Sequence, residues 1–439
     1  VRSRPIFGYG TLRRAAAILT LAGGCVSPAS GQSPEPAAPA VATARRIIDV
    51  DSARRAKQAK QEGIEPVLLY PLRAVGNGLE RGLIRVENEH LRERLEDWIA
   101  RLSAHGIEPG LGGLGEGAGL GLGARLSRKH VLGSRSIEAG LTIRTSSKLY
   151  QHFGLDFEAP IAGPLFFRAE TLYRNRPQED FFGIGIAVPE SGRADYKLQD
   201  RTVSASLGSR IGRGAEAGLR FGYTSARVFD GANGQVRSFG HVYGSADLPG
   251  SRGGEHLFYG AWLSADRRDS NWDPKRGALL RLSATSFDSV NHQDTGWLNY
   301  RFEVQAYRPL STAGHVLAVR VLGDFNSRKG GSGIPFFKLA RIGGHHSLRG
   351  YRVNRFADAN AVAASLEYRY PIWPRFMDAM PFFDIGEVAP TPGELSWSGL
   401  RASWGVGFKV KTLQSALLRF DVALGPEGAR LHLKFAPEF

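Results

Sequence analysis

Residues 361–372 read AVAASLEYRYPI, and the fold follows from how these side chains alternate. Successive side chains of a strand point to opposite faces. Val362, Ala364, Leu366, Tyr368, Tyr370 and Ile372 therefore share one face, and Ala363, Ser365, Glu367 and Arg369 share the other. The same alternation runs through 297–307, where Leu298, Tyr300, Phe302, Val304 and Ala306 oppose Asn299, Arg301, Glu303, Gln305 and Tyr307. At 400–411, Ala402, Trp404, Val406 and Phe408 oppose Arg401, Ser403, Gly405, Gly407 and Lys409. A soluble sandwich would also alternate, with its polar face to water and its apolar face against a second sheet. A barrel in a membrane inverts this, turning the apolar face to lipid and the charged face to a wet lumen, over spans of about 9–11 residues.

The period of two persists from Pro109 to the end of the chain. It marks segments near 116–128, 135–146, 148–158, 164–175, 197–210, 215–226, 255–266, 276–288, 296–308, 313–325, 335–343, 361–373, 379–388, 400–411, 415–425 and 429–439. An even number is what an up-and-down antiparallel barrel of one chain requires. The expectation is an all-β protein, a 16-stranded antiparallel transmembrane β-barrel over 110–439, with a short helical N-terminal segment.

The residues before the barrel read differently. Arg13 and Arg14, the apolar run Ala15–Ala22 and the small residues Ala29, Ser30 and Gly31 have the form of an export signal over 1–31. Its removal takes four arginines and no acid from a net charge of +15, leaving +11. Cys25, the single cysteine, sits in a poor lipoprotein box and leaves lipidation open as an alternative. Residues 32–66 are Pro/Ala-rich and then charged, as a flexible linker is. Within 67–109, Leu79, Leu83, Val86, Leu91, Leu95, Ile99 and Leu102 recur mostly every three or four residues, the pattern of one amphipathic helix ending at Gly106. Glycine stands at 55 and methionine at 2, which suits a β protein with many turns. The arginines are spread along the strands with no dense basic helix, so a lumen lining or a surface facing anionic lipid is expected, and no nucleic acid partner.

Three spaced stretches resemble a known family. They are Gly343–Tyr351 (GGHHSLRGY), Ser365–Ile372 (SLEYRYPI) and Phe382–Gly386 (FFDIG), on a chain that ends at Phe439. The order resembles the sixth-loop and neighbouring-strand motifs of the outer-membrane assembly-factor barrels, the superfamily of BamA, TamA and the two-partner secretion transporters. The resemblance implies that a long extracellular loop folds back into the lumen. It also implies that the Arg of its tip, here Arg349, pairs with carboxylates of the wall, here Glu367 and Asp384. Gly343, Gly344, Leu348, Gly350 and Tyr351 complete the loop motif, and Asp266–Gly277 (DRRDSNWDPKRG) resembles a recurrent hairpin of the same family. Phe435 and Phe439 on the last strand resemble the C-terminal signal for barrel insertion. Relatives carry periplasmic POTRA modules, and residues 32–109 lack their β-α-α-β-β pattern.

The physical reading agrees with an inward Arg349, because a guanidinium can serve two carboxylates and such bonds strengthen where water is scarce. Gly117, Gly119, Gly121 and Gly123 alternate with Ala118, Leu120, Leu122 and Ala124. Glycine at each inward position weakens a strand. The resemblance implies that this strand meets the last one at a seam that can open laterally, which a pliable strand would suit; the alternative is that the glycines make room for the loop or the N-terminal helix. His345 and His346 are adjacent and lack a third ligand nearby, so no metal site is expected. With no GxSxG elbow and no Walker loop, no enzyme and no cofactor are expected. The expected partners are outer-membrane lipid, unfolded outer-membrane clients and periplasmic accessory proteins, and the expected place is the outer membrane of a Gram-negative-type bacterium. A passive, anion-leaning pore is the alternative.

Overall fold

β-Branched and aromatic residues recur at alternate positions from residue 107 onward, and in a computed structural model they form eighteen strands. The structure describes residues 101–434, apart from 103, 113, 116, 130–136, 232, 245–247, 272, 291–293, 312–313, 374–376 and 412–415. The signal, the linker, nearly all of the helical segment, and Phe435 and Phe439 lie outside the described residues.

The strands are β1 (Ile107–Gly112), β2 (Gly121–Lys129), β3 (Glu138–Ser146), β4 (Gln151–Pro160), β5 (Leu165–Phe181), β6 (Ala194–Arg210), β7 (Ala215–Asp230), β8 (Gly253–Asp266) and β9 (Gly277–Ser289). They continue with β10 (Gly296–Pro309), β11 (Val316–Arg328), β12 (Ala340–Ile342), β13 (Phe356–Asp358), β14 (Asn360–Trp373), β15 (Met377–Ala389), β16 (Arg401–Lys411), β17 (Ala416–Gly425) and β18 (Gly428–Lys434). Sixteen of them form one antiparallel sheet in chain order from β1 to β18, leaving out β12 and β13, which pair with each other. Among the described residues no ladder joins β1 to β18. Strands β5 and β6 run to 17 residues, about 56 Å of extended chain, so they outreach the hydrocarbon layer.

Burial follows the inverted pattern. On β14, Glu367 is fully buried and Arg369 nearly so, while Leu366 and Tyr368 between them are exposed. On β16, Ser403 and Lys409 are buried and Trp404 is exposed. The sheet thus presents apolar side chains outward and polar ones inward, the arrangement of a transmembrane β-barrel. The inner face is laced across strands by ion pairs, among them Arg125–Asp156 (2.6 Å), Arg174–Asp200 (2.6 Å) and Arg320–Glu303 (2.8 Å).

Two strand expectations need correction, although their number stands. Segment 335–343 is not a wall strand: Phe336–Lys338 is a short 3-10 turn, and β12 pairs with β13 as a separate ribbon. Phe336 packs with Phe181, Tyr196 and Phe239, with its ring 4.4 Å from that of Phe239, so the apolar side of this segment faces protein and not lipid. The strand read as the first is the second, since β1 precedes it and pairs Ile107–Gly112 with Gly121–Leu126. Pro109 disguised β1, yet proline is tolerated on an end strand, where one row of backbone groups has no neighbour to bond. Gly106 adjoins β1 at φ +78°, where an added Cβ would fall 2.0 Å from the Ser127 carbonyl oxygen, so only glycine fits.

Before the barrel the chain makes a short helical turn, in which the His105 amide donates to the Leu102 carbonyl at 3.0 Å.

Candidate functional site in the lumen

The connection from β11 to β14 carries GGHHSLRGY, and its glycines shape it. Gly343 and Gly344 sit at φ +121° and +81°, a region that side chains with a Cβ avoid. The turn then closes on itself. Gly343 N donates to Ser347 Oγ (2.8 Å), Gly344 N to the Leu348 carbonyl (3.0 Å), and Tyr351 N to the same carbonyl (3.1 Å). Leu348 and Tyr351 are buried with Ile342, Phe356, Ala361, Ala363 and Val388, which fixes the tip to β14 and β15. Gly350 passes so close to the wall that a Cβ would lie 2.6 Å from Ser403 Cβ and 2.8 Å from the Leu424 carbonyl oxygen.

These anchors direct Arg349 onto the wall. Its Nε and Nη2 donate to the two oxygens of Asp384 at 2.9 and 2.6 Å, its Nη1 donates to Glu367 at 2.7 Å, and its amide donates to Asp384 at 3.2 Å. The guanidinium lies 3.4 Å from the Phe382 ring centroid, an added cation–π contact. Glu367 is the hub: it also accepts from Arg419 Nη2 (2.6 Å) and from Arg369 Nε (3.0 Å). Arg419 in turn binds Asp421 at 2.8 Å, and Asp421 lies 3.7 Å from Arg349. Three guanidinium groups and three carboxylates balance, and each has partners, which is the condition for holding charge where solvent is scarce. His432 of β18 closes the set from the other side, its Nε2 lying 2.7 Å from the Arg349 carbonyl oxygen.

Arg419, Asp421, Arg369, Ser403 and His432 escaped the motif-based reading. A signal for them existed, because Arg419 and Asp421 are two apart in ALLRFDVALG and so share the inner face. The hairpin from β8 to β9 brings a second tie from the opposite end. Its Asp273 pairs with Lys409 of β16, and its Pro274 carbonyl lies 3.5 Å from Arg369 Nη1. His345 and His346 lie side by side, ring centroids 4.0 Å apart, with His432 6.1 Å from the former. Of the four glycines read as a seam, Gly117 and Gly119 are in the turn before β2 at φ +80° and +77°. Gly121 and Gly123 are on β2, paired with Gly112 and Gly110 of β1.

A sixteen-stranded barrel with this tip seated on its inner wall invites comparison with known proteins. A family profile for the Omp85 superfamily domain matches residues 115–433. The chain belongs to the Omp85 superfamily. Among solved structures, this Omp85 barrel is similar to BamA from Haemophilus ducreyi lacking POTRA domains 1–3. The TM-score is 0.57 at 17% identity, over 75% of this chain and 68% of that one. It is also similar to CdiB from Escherichia coli, with a TM-score of 0.50 at 12% identity, over 76% of this chain and 62% of that one. At these identities the likeness speaks for the fold. No curated protein matches the chain.

Proposed function

We propose that this Omp85 barrel resides in the outer membrane and inserts other barrels there or translocates polypeptides across it. The observation that carries the reading is the reach of the tip. Arg349 and Gly350 touch β14, β15, β16 and β17 through side chains and close backbone packing, and the Arg349 carbonyl meets His432 on β18, an end strand of the sheet. The position of the loop and the placement of that strand are therefore mechanically linked. An end strand offers unpaired backbone donors and acceptors, which an incoming extended segment can use by strand addition. In this reading Arg349, Glu367 and Asp384 hold the loop in place while the β1–β18 seam accepts or releases a client. Unfolded outer-membrane proteins and periplasmic accessory proteins are the partners it implies.

The test is depletion of the protein in its source cell with quantitative outer-membrane proteomics, alongside planar-bilayer conductance of the purified chain. Loss of other barrels or of a secreted polypeptide, restored by the wild type and not by a variant with a disulfide across β1 and β18, supports the proposal. An unchanged proteome with an open, anion-selective conductance makes the chain a passive barrel and rejects it.

A further inference from the structure

A cavity of about 200 Å³ opens beside Tyr351, lined by Ile186, Val188, Tyr351, Arg355, Arg401 and Glu427 among others. Three polar atoms of these residues are buried and have no hydrogen-bond partner among the described residues: Tyr351 Oη, Arg355 Nη1 and Glu427 Oε2. Buried polar atoms are nearly always bonded, so three orphans around one space mark it as built for an occupant.

The occupant's chemistry follows from what is fixed around it. Arg355 is held rigidly: Nε donates to Glu427 Oε1 (2.6 Å), Nη2 to the Val188 carbonyl (2.7 Å), and its guanidinium lies 5.0 and 4.7 Å from the rings of Phe182 and Phe356. Its Nη1 has no acceptor among the described residues. Arg401 is engaged by the Ile186 carbonyl at 3.3 Å and by no carboxylate among the described residues. Burial raises the Tyr351 phenol above its ordinary range, so it stays protonated and able to donate. Two lining cations, Arg355 and Arg401, stand against one lining acid, Glu427. Water would meet the hydrogen bonds but leave the positive excess, whereas an anion meets both.

Glu427 narrows the choice further. Its second oxygen, 3.8 Å from Arg430 Nη2 and without a hydrogen bond among the described residues, can only accept, so an anion beside it must carry a proton. Hydrogen phosphate retains one at neutral pH, and a phosphomonoester, whose second ionisation lies at about pH 6, retains one below that. Sulfate has none.

We propose that this cavity binds phosphate or a phosphomonoester. Arg355 Nη1, Tyr351 Oη and Arg401 donate to its oxygens, and Glu427 accepts its remaining proton. The proposal does not depend on whether the barrel assembles other proteins or conducts solutes.

The experiment is calorimetric titration of the purified, detergent-folded protein with inorganic phosphate, sulfate and glucose 1-phosphate. Saturable one-to-one binding of phosphate, at least tenfold tighter than sulfate, is expected. A tighter glucose 1-phosphate assigns the site to a phosphorylated sugar headgroup, and a weaker one assigns it to free phosphate. Tyr351→Phe and Arg401→Gln each weaken phosphate about tenfold, the loss of one charge-assisted bond. Glu427→Gln narrows the preference over sulfate. Folding of each variant is checked by heat-modified migration in detergent gels. Absence of saturable binding, equal binding of sulfate, or wild-type affinity in folded Tyr351→Phe and Arg401→Gln overturns the proposal.

Discussion

Arg349 and Arg355 lie six residues apart in one connection, both are more than nine-tenths buried, and they stand in opposite electrostatic conditions. Around Arg349 every guanidinium nitrogen has an acceptor, and three cations meet three acids. Around Arg355 one nitrogen has no hydrogen-bond partner among the described residues, and the two lining cations outnumber the one lining acid. A saturated network has nothing left to offer a ligand and can only hold structure. An unsaturated one is incomplete until something enters. The contrast separates a structural lock from a binding site within one loop.

The lock breaks most severely at its hub. Glu367→Gln leaves Arg349, Arg369 and Arg419 facing each other with one carboxylate fewer, a buried imbalance that costs about 3–5 kcal/mol. Its expected signature is a large fall in the temperature of heat-modified migration, together with new protease or thiol-reagent access to residues of the tip. Arg349→Ala has the next largest effect, because Glu367 keeps two guanidinium partners while Asp384 loses its guanidinium and keeps, among the described residues, the backbone amide of position 349 at 3.2 Å and the Ser403 hydroxyl at 3.4 Å. Unchanged tip accessibility in folded Arg349→Ala would remove the lock from the account. Gly350→Ala follows at about 1–3 kcal/mol, since its methyl would press on Ser403 Cβ and the Leu424 carbonyl.

A smaller effect is set by pH. Burial, with Lys434, His432, Arg419 and Arg320 nearby, holds His345 well below the ordinary imidazole range. The folded state therefore binds this proton less readily than the unfolded chain, and stability falls as pH drops below about 6.5, the unfolded value. Tip protection measured from pH 8 to 5 is expected to decline over that interval, and His345→Gln to flatten the decline.

How much of this was legible in the sequence depends on distance along the chain. The period of two sorts Glu367 and Asp384 onto the face that proves lumenal, because strand alternation is local. The same rule reached Arg419 and Asp421, but nothing in ten residues of β17 says which inner charges will meet. The meeting of Arg419 with Glu367, 52 positions away, depends on how strands stack around the barrel. Segment 335–343 misled for the complementary reason. PFFKLARIG alternates plausibly as a wall strand, and only the folded structure reveals protein on the side where lipid was expected. The Arg355 cavity left no local mark either, since its lining comes from four stretches near residues 186, 355, 401 and 427.

Tyr351→Phe is the gentlest perturbation and the one that most sharply divides the two arginines. The hydroxyl is buried with no hydrogen-bond partner among the described residues, so without phosphate it adds desolvation cost and nothing in return. Removing it should leave the Arg349 lock intact, since Tyr351 contributes to that lock only through its ring and amide. Without phosphate the variant is therefore expected to be more stable than wild type, by about 1 kcal/mol. With saturating phosphate the order reverses, because ligand stabilises the wild type by mass action and the variant less. Thermal scans of both proteins across a phosphate series should show the two curves crossing. Parallel curves would mean that the hydroxyl serves the fold alone, and the distinction between a saturated and an unsaturated arginine would then carry no functional meaning.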